Sequence, residues 1–292
     1  MKKIILIFII SFLTFIYSYA AFEYIPGNVQ TKSMSYATTG MISGIDNITV
    51  NPASIMGLDK YQVSVSYENL YRFIHAASLS GGYFSDYGNI GLKYSELFVI
   101  GDYSNGDSLL STNTRLQTER VVQLTYGLGF NDLIFFGTNL NFLFIEQKME
   151  GVDANNNIFY TADLGMIGKV YDRWFIGLAV SNFTDTYIVG AMSNQRYYIT
   201  RKVSAGLTYL PYESLTTNFD ISKVSGEPTS FGFSLKYQLI KNLFTIYSGV
   251  RSYPTNLGIG FEMKIKNLSI DYGYTTVVNL PSRNHIQLSY SF

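Results

Sequence analysis

From Lys60 to Phe292 the chain alternates apolar and polar residues with a period of two. Leu257, Ile259, Phe261, Met263 and Ile265 interleave with Gly258, Gly260, Glu262, Lys264 and Lys266. Phe231, Phe233, Leu235 and Tyr237 interleave with Gly232, Ser234, Lys236 and Gln238, and Ile270, Tyr272 and Tyr274 with Ser269, Asp271, Gly273 and Thr275. Successive side chains of a strand point to opposite faces, so each such segment has one apolar and one polar face. The pattern predicts about fourteen strands, near residues 60–68, 72–84, 89–99, 116–130, 133–149, 157–170, 173–182, 198–210, 214–223, 228–239, 242–251, 256–266, 267–276 and 284–292.

The connections sort by parity. After even-numbered strands they are tight, with turn-forming residues at Asn131-Asp132, Tyr171-Asp172, Pro211-Tyr212-Glu213, Lys241-Asn242 and Lys266-Asn267. After odd-numbered strands they include two long stretches, Gly101–Arg115 and Phe183–Tyr197, expected to be loops. Short turns on one side and long loops on the other are the asymmetry of outer-membrane barrels.

Composition supports that environment. Aromatic residues make up 16% of the 292 residues and charged residues only 14%, against about 25% charged in a typical soluble domain. A soluble sandwich turns a Lys- and Glu-rich face to water. Here the polar face is Gly, Ser, Thr and Asn with isolated charges, which suits a lumen, while the aromatic-rich face suits lipid. Mean hydropathy is only +0.10, and no stretch after residue 21 is apolar for 18 residues, so only a closed barrel can cross a bilayer. The fold class expected is all-β, a transmembrane antiparallel β-barrel of about fourteen strands with an N-terminal plug segment.

Lys2 and Lys3 precede the apolar run Ile4–Ile16, and Ser18-Tyr19-Ala20 supplies small residues at a cleavage site. The run is almost long enough to span as an anchor, but the small-x-small site marks residues 1–20 as a signal peptide. The expected division is then 1–20 leader, 21–59 plug and 60–292 barrel in the outer membrane of a bacterial cell. At the other end Ile286, Leu288, Tyr290 and Phe292 alternate with His285, Gln287, Ser289 and Ser291. This ending resembles the signal read by the outer-membrane assembly machinery, which is an expected partner together with outer-membrane lipid.

The chain has no cysteine and a formal net charge of zero. Disulfides, thiolate zinc sites and a catalytic Cys are excluded, and no basic patch for nucleic acid is implied. There is no phosphate-binding Gly-rich loop and no His-Glu-x-x-His pair. Only His75, on an apolar face, and His285, on a polar one, are present, so no catalytic site, metal site or cofactor is expected.

Residues Ala21–Asp59 do not alternate. They hold Ser33-Met34-Ser35-Tyr36-Ala37-Thr38-Thr39-Gly40, then Ser43-Gly44-Ile45-Asp46-Asn47, then Asn51-Pro52-Ala53 just before the first strand. This region resembles the N-terminal region of the FadL family of outer-membrane long-chain fatty acid transporters and of the related PorV family linked to type IX secretion. Thr161-Ala162-Asp163-Leu164-Gly165, Gly177-Leu178-Ala179-Val180-Ser181-Asn182 and the closing Asp271-Tyr272-Gly273-Tyr274 resemble the PorV-like half. The small-residue run has fewer glycines than that family shows, and Ser54 stands where its members commonly carry Gly. The resemblance implies a fourteen-stranded barrel whose N-terminal segment folds inward, with Asn51, Pro52 and Ala53 as the plug motif. From the residues alone, Asn51-Pro52-Ala53 reads equally as a stop before the first strand.

The function expected is passive uptake of hydrophobic, fatty-acid-like molecules through a plugged barrel. The alternatives are a PorV-like carrier for secretion components and a general diffusion pore. Lys93, Asp163, Lys169, Asp220, Lys236, Glu262, Lys264 and Asp271 are expected to face the lumen, either as a selectivity lining or as charges paired across it. Leu143, Ile145, Phe159 and Phe175 break into the polar face, either to form an apolar pocket or to pack the plug.

Overall fold

In the computed structural model the described residues are 22, 26–58, 60–70, 73–104, 109–147, 158–189, 196–278 and 280–292. The leader expected at 1–20 lies outside them. Among the described residues sixteen strands follow one another: β1 (Gln62–Leu70), β2 (Ile74–Tyr83), β3 (Asn89–Ser104), β4 (Leu109–Phe130), β5 (Ile134–Gln147), β6 (Ile158–Tyr171), β7 (Trp174–Ser181), β8 (Tyr187–Val189), β9 (Arg196–Tyr198), β10 (Lys202–Tyr212), β11 (Leu215–Val224), β12 (Ser230–Ile240), β13 (Phe244–Ser252), β14 (Thr255–Ile265), β15 (Leu268–Val277) and β16 (Leu280–Ser291). Fourteen of them form a closed antiparallel barrel in which each pairs with its sequence neighbour, β7 with β10, and β1 with β16. β8 and β9 form a separate hairpin in the connection between β7 and β10.

Two expectations about loops are corrected. Gly101–Arg115 was expected to be a loop, but β3 runs to Ser104 and β4 starts at Leu109, with register shifts along the extension. Phe183–Tyr197 carries the β8–β9 hairpin. Gly, Asp, Ser, Asn and Thr fall at both alternate positions of 101–115, so no two-residue period marks these strand ends. Pro211 and Tyr212 also belong to β10, and the turn itself is Glu213-Ser214.

The tight turns follow from local chemistry. Asn131 and Asp132 both lie in the left-handed region (φ 51° and 53°), as do Asn242 (58°) and Lys266 (55°). Asn and Asp reach this conformation more readily than other non-Gly residues, and it matches the twist of the flanking strands. Outward positions such as Val63, Val65 and Tyr67 are exposed, whereas the alternate positions Ser64, Ser66 and Glu68 are buried. Exposed aromatics gather at both ends of the wall. Tyr61, Tyr83, Phe130, Tyr171, Tyr212 and Phe292 lie at the tight-turn end, and Phe73, Tyr160, Phe183, Tyr187 and Tyr253 at the other. Aromatic girdles at both ends of the wall are a feature of outer-membrane barrels.

Among the described residues about half of the buried apolar side chains come from the short N-terminal segment. Val29, Met34, Ile45, Ile48, Ala53 and Ile55 are all at most 1% exposed. The segment makes a helical turn (Val29–Ser33) and two 3-10 turns (Gly44–Asp46 and Pro52–Gly57). Its contacts are with inward-facing wall positions, so residues 26–58 lie inside the barrel.

Candidate functional site

Most of the inner wall meets the N-terminal segment through glycine. A Cβ at Gly137 (β5) would strike Pro52 and Ala53, one at Gly177 (β7) the carbonyl of Thr39, one at Gly249 (β13) the backbone of Met34, and one at Gly258 (β14) the carbonyl of Ser33. Gly165 (β6), Gly206 (β10) and Gly232 (β12) meet Asn51, Thr39 and Ala37 in the same way. On β4 and β2, Gly127 and Gly82 receive the side chains of Ile55 and of Ile45 and Leu58. The segment is thus seated in a belt of glycine notches, where only the missing side chain allows backbone to approach backbone. The signal for this belt is glycine recurring on the polar face of most strands, which by itself reads as a small-residue lumen lining.

Polar groups fill what the notches leave. Asn51 accepts a hydrogen bond from Ala53 N (3.0 Å), and its Nδ2 donates to the carbonyl oxygens of Thr39 (2.7 Å) and Met166 (3.2 Å). It therefore caps its own turn while touching the wall at β6, and Pro52 begins the turn where no N–H is needed. Asp220 accepts from both N (2.9 Å) and Oγ1 (2.6 Å) of Thr39. Lys93 donates to the carbonyl of Pro26 (2.5 Å), and Lys236 to Oε1 of Gln30 (3.1 Å). Glu262 and Asp271, paired across β14 and β15, both accept from the Tyr247 hydroxyl, at 2.8 and 3.4 Å. Asp163 instead ties wall to wall, accepting from Asn139, Asn141 and the backbone N–H of Asn182. Lys169 is half-buried and Lys264 exposed, both near the tight-turn end.

Neither β1 nor β16 has a glycine in the belt. Here long polar side chains bridge the gap. Lys32 Nζ lies 2.6 Å from Glu68 Oε2, and Glu68 Oε1 lies 3.0 Å from His285 Nδ1. Glu68 and His285 are register partners across the seam that closes the barrel. His285 Nε2 contacts Thr275 Oγ1 at 2.9 Å, and Gln287 accepts from Val29 N (3.2 Å). Gln287 and Asn28 both donate to Asp46, at 3.0 and 2.5 Å. Burial lowers the Lys32 ammonium from its usual range against the opposing attraction of Glu68. Burial likewise raises the Asp46 carboxyl, opposed by the hydrogen bonds from Asn28 and Gln287. Lys32 and Glu68 did not stand out in the sequence, because a single charge among small polar residues has no local pattern, and Asp46 did so only as part of Ser43-Gly44-Ile45-Asp46-Asn47. His75 is elsewhere, on the outer face, stacked between Tyr67 and Phe98.

On the loop side of the segment the wall turns apolar. Val121 and Leu143 form a buried nest with Ile199 and Phe22, flanked by Ile145 and Phe159. Phe22 N donates to Glu119 Oε2 at its edge (3.0 Å). Phe175, expected to join these residues, is half-buried at the tight-turn end and is not part of the nest. Outside the wall, an apolar groove of about 490 Å³ runs over β4–β7, between Tyr126, Phe136, Leu164 and Leu178. Among the described residues no three His, Cys, Asp or Glu side chains are grouped to hold a metal ion.

No protein-family profile matches the sequence, and no curated protein matches it. The fold, by contrast, is that of FadL-type outer-membrane channels. The CymD monoaromatic hydrocarbon channel superposes with a TM-score of 0.65 at 11% identity, covering 93% of this chain and 99% of that one. The toluene transporter TbuX of Ralstonia pickettii gives 0.66 at 12% identity over 93% and 100% of the chains. A FadL homologue of Pseudomonas aeruginosa gives 0.62 at 12% over 94% and 100%.

Proposed function

We propose that the protein is an outer-membrane channel for passive uptake of hydrophobic small molecules, with its N-terminal segment closing the bore. The observation that carries this reading is the apolar nest of Val121, Leu143, Ile199 and Phe22, placed inside the barrel on the loop side of the segment. A general water-filled pore has no use for buried apolar side chains at that level, whereas a hydrophobic solute gains about 25 cal/mol for each Å² it buries there. Fold likeness to channels named for hydrocarbons and toluene agrees with it. The wall facing lipid supports outer-membrane residence, with the leader removed on export.

Reconstituted protein should take up a small aromatic hydrocarbon or a fatty acid into vesicles faster than protein-free vesicles do. Leu143→Asp should abolish that gain while leaving heat-modifiable migration on gels unchanged. Uptake equal to that of protein-free vesicles would overturn the reading. Closure has its own measurement: a variant lacking residues 21–50 should conduct ions in large steps in planar bilayers, whereas the full chain conducts little. Equal, large conductance of both would favour a general pore.

A further inference from the structure

The outward face of β4 to β7 carries a trough where large side chains would otherwise stand. Thr138 on β5 and Gly168 on β6 both occupy outward positions, the first between exposed Phe136 and Leu140. The Thr138 hydroxyl donates to the Asp163 carbonyl (3.1 Å), so it is spent on the neighbouring strand. A Cβ at Gly168 would meet nothing within 4 Å, unlike the glycines of the inner belt. Gly168 is level with Ile134 and Ile176, its register partners on β5 and β7. The apolar groove over β4–β7 therefore has an open way past Gly168 toward the tight-turn end. Its floor is closed: Gly137 and Gly165 lie at the bottom, and behind them stand Pro52 and Asn51 of the N-terminal segment. The groove belongs to the outer surface and does not open into the bore.

β4 fixes the depth of the groove. Phe130, Leu128, Tyr126, Leu124 and Val122 face outward, and the next outward residue is Arg120, paired with Glu96 (3.4 Å) and Glu146 (3.1 Å). Charges on the outer face mark the loop-side limit of the hydrocarbon, where ionised groups are costly. From Phe130 to Val122 is about 27 Å of strand, roughly 20 Å of height at the usual tilt, close to the apolar band of about 25 Å in such barrels. Tyr126, Leu128 and Phe136 place the groove toward the Phe130 end. It lies in the leaflet on the side of the tight turns, the periplasmic one in outer-membrane barrels.

At the water end of that leaflet, exposed charges of both signs stand on the two turns that flank the groove. Asp132 lies between β4 and β5, and Asp172 and Arg173 between β6 and β7. Arg173 is held by the Pro211 carbonyl (2.6 Å), and beside it Trp174 stacks on Tyr209 at 4.1 Å. A chain lying on a ridge touches side chains on one side, whereas one lying in a trough touches them on three. A phosphate suits Arg173, and an ammonium suits Asp132 and Asp172.

We propose that this groove is a binding site for one phospholipid of the turn-side leaflet. Its acyl chain lies between Tyr126, Phe136, Leu164 and Leu178, and its amine-bearing zwitterionic head at Asp132, Asp172 and Arg173. The lipid is a resident of the wall rather than cargo, so the inference stands apart from the uptake reading.

Native mass spectrometry tests it on detergent-purified protein exposed to equal amounts of phosphatidylethanolamine and phosphatidylglycerol and then washed. The parent should keep one phosphatidylethanolamine per chain. Gly168→Leu fills the mouth of the trough and Thr138→Leu its middle, and each should lower the retained fraction by about tenfold as the chain loses surface to bury. Ser248→Leu, at a half-buried outward position on β13 between Leu235 and Ile259, should leave retention unchanged. Heat-modifiable migration shows that each variant is folded. If Thr138→Leu does not fold, Gly168→Leu carries the test, since its Cβ enters open space. A parent without the adduct, equal retention by the filled variants, or an equal loss with Ser248→Leu would each overturn the site. Phosphatidylglycerol kept in preference would overturn the head-group assignment. A dimer that is lost with Gly168→Leu would give the groove to a second copy of the chain instead.

Discussion

The inner wall has two arcs that hold the same segment by different means. Along β2 to β7, β10 and β12 to β15 the segment is gripped by shape, through Gly137, Gly177, Gly249 and their neighbours. At β1 and β16 it is gripped by charge, through Lys32, Glu68 and His285. Shape complementarity at a glycine tolerates no added atom, whereas the charged arc has room for side chains but demands their pairing. The first arc fixes where the segment sits. The strands that Glu68 and His285 join are also the first and last of the barrel, so the charged contact lies on the closing seam.

The largest effect should come from filling a notch. Gly177→Val would drive side-chain atoms into the Thr39 carbonyl and Gly40, costing roughly 3 kcal/mol or more unless the segment is expelled. Limited trypsin digestion should then cut at Lys32 in the folded barrel, where the parent resists. A protected N-terminal segment in this variant would mean that the glycine arc is not the seat.

Next is the seam seen from outside the lumen. Phe292 N donates to the Tyr61 carbonyl (2.9 Å), and its ring meets Tyr290 edge-on at 4.9 Å. Deleting Phe292 should lower the yield of inserted barrel at normal expression while leaving the N-terminal segment of the surviving barrels protected. Unchanged insertion would count against the assembly role expected of Ile286, Leu288, Tyr290 and Phe292. Loss of segment protection in the inserted fraction would mean that the seam and the segment are not separable.

The smallest shift should come from a polar contact within the gripped arc. Thr39→Val removes the hydroxyl that donates to Asp220 but keeps the N–H that also donates there, so about 1–2 kcal/mol of stability should go. Thermal unfolding followed by the loss of heat-modifiable migration would register it. A loss as large as that of Gly177→Val would show that charge, not shape, dominates both arcs.

Much of the wall was legible because a strand between lipid and lumen must alternate, and Leu257–Ile265 and Phe231–Tyr237 do so without interruption. The stretch 101–115 was not, since Gly, Asp, Ser, Asn and Thr fall at both alternate positions there. The interior was legible in part. Leu143, Ile145 and Phe159 announced an apolar patch on a polar face, and three of the four residues singled out did meet there. Phe175 did not, because alternation gives the face of a residue but not its height along the barrel axis.

The sequence by itself determined that this chain makes antiparallel strands with one lipid-compatible face, joins them by tight turns at one end, and carries a non-alternating N-terminal stretch. Those properties are written in neighbouring residues, through the two-residue period and the left-handed preference of Asn and Asp. Only the tertiary structure decided that the glycines of nine or more strands line up opposite one winding segment. It alone brought Lys32, Glu68 and His285 within hydrogen-bonding distance. Glycine looks the same whether water or backbone faces it. Charges brought together only by closing the barrel leave no local pattern, because the contact that gives them meaning exists only once the first strand has met the last.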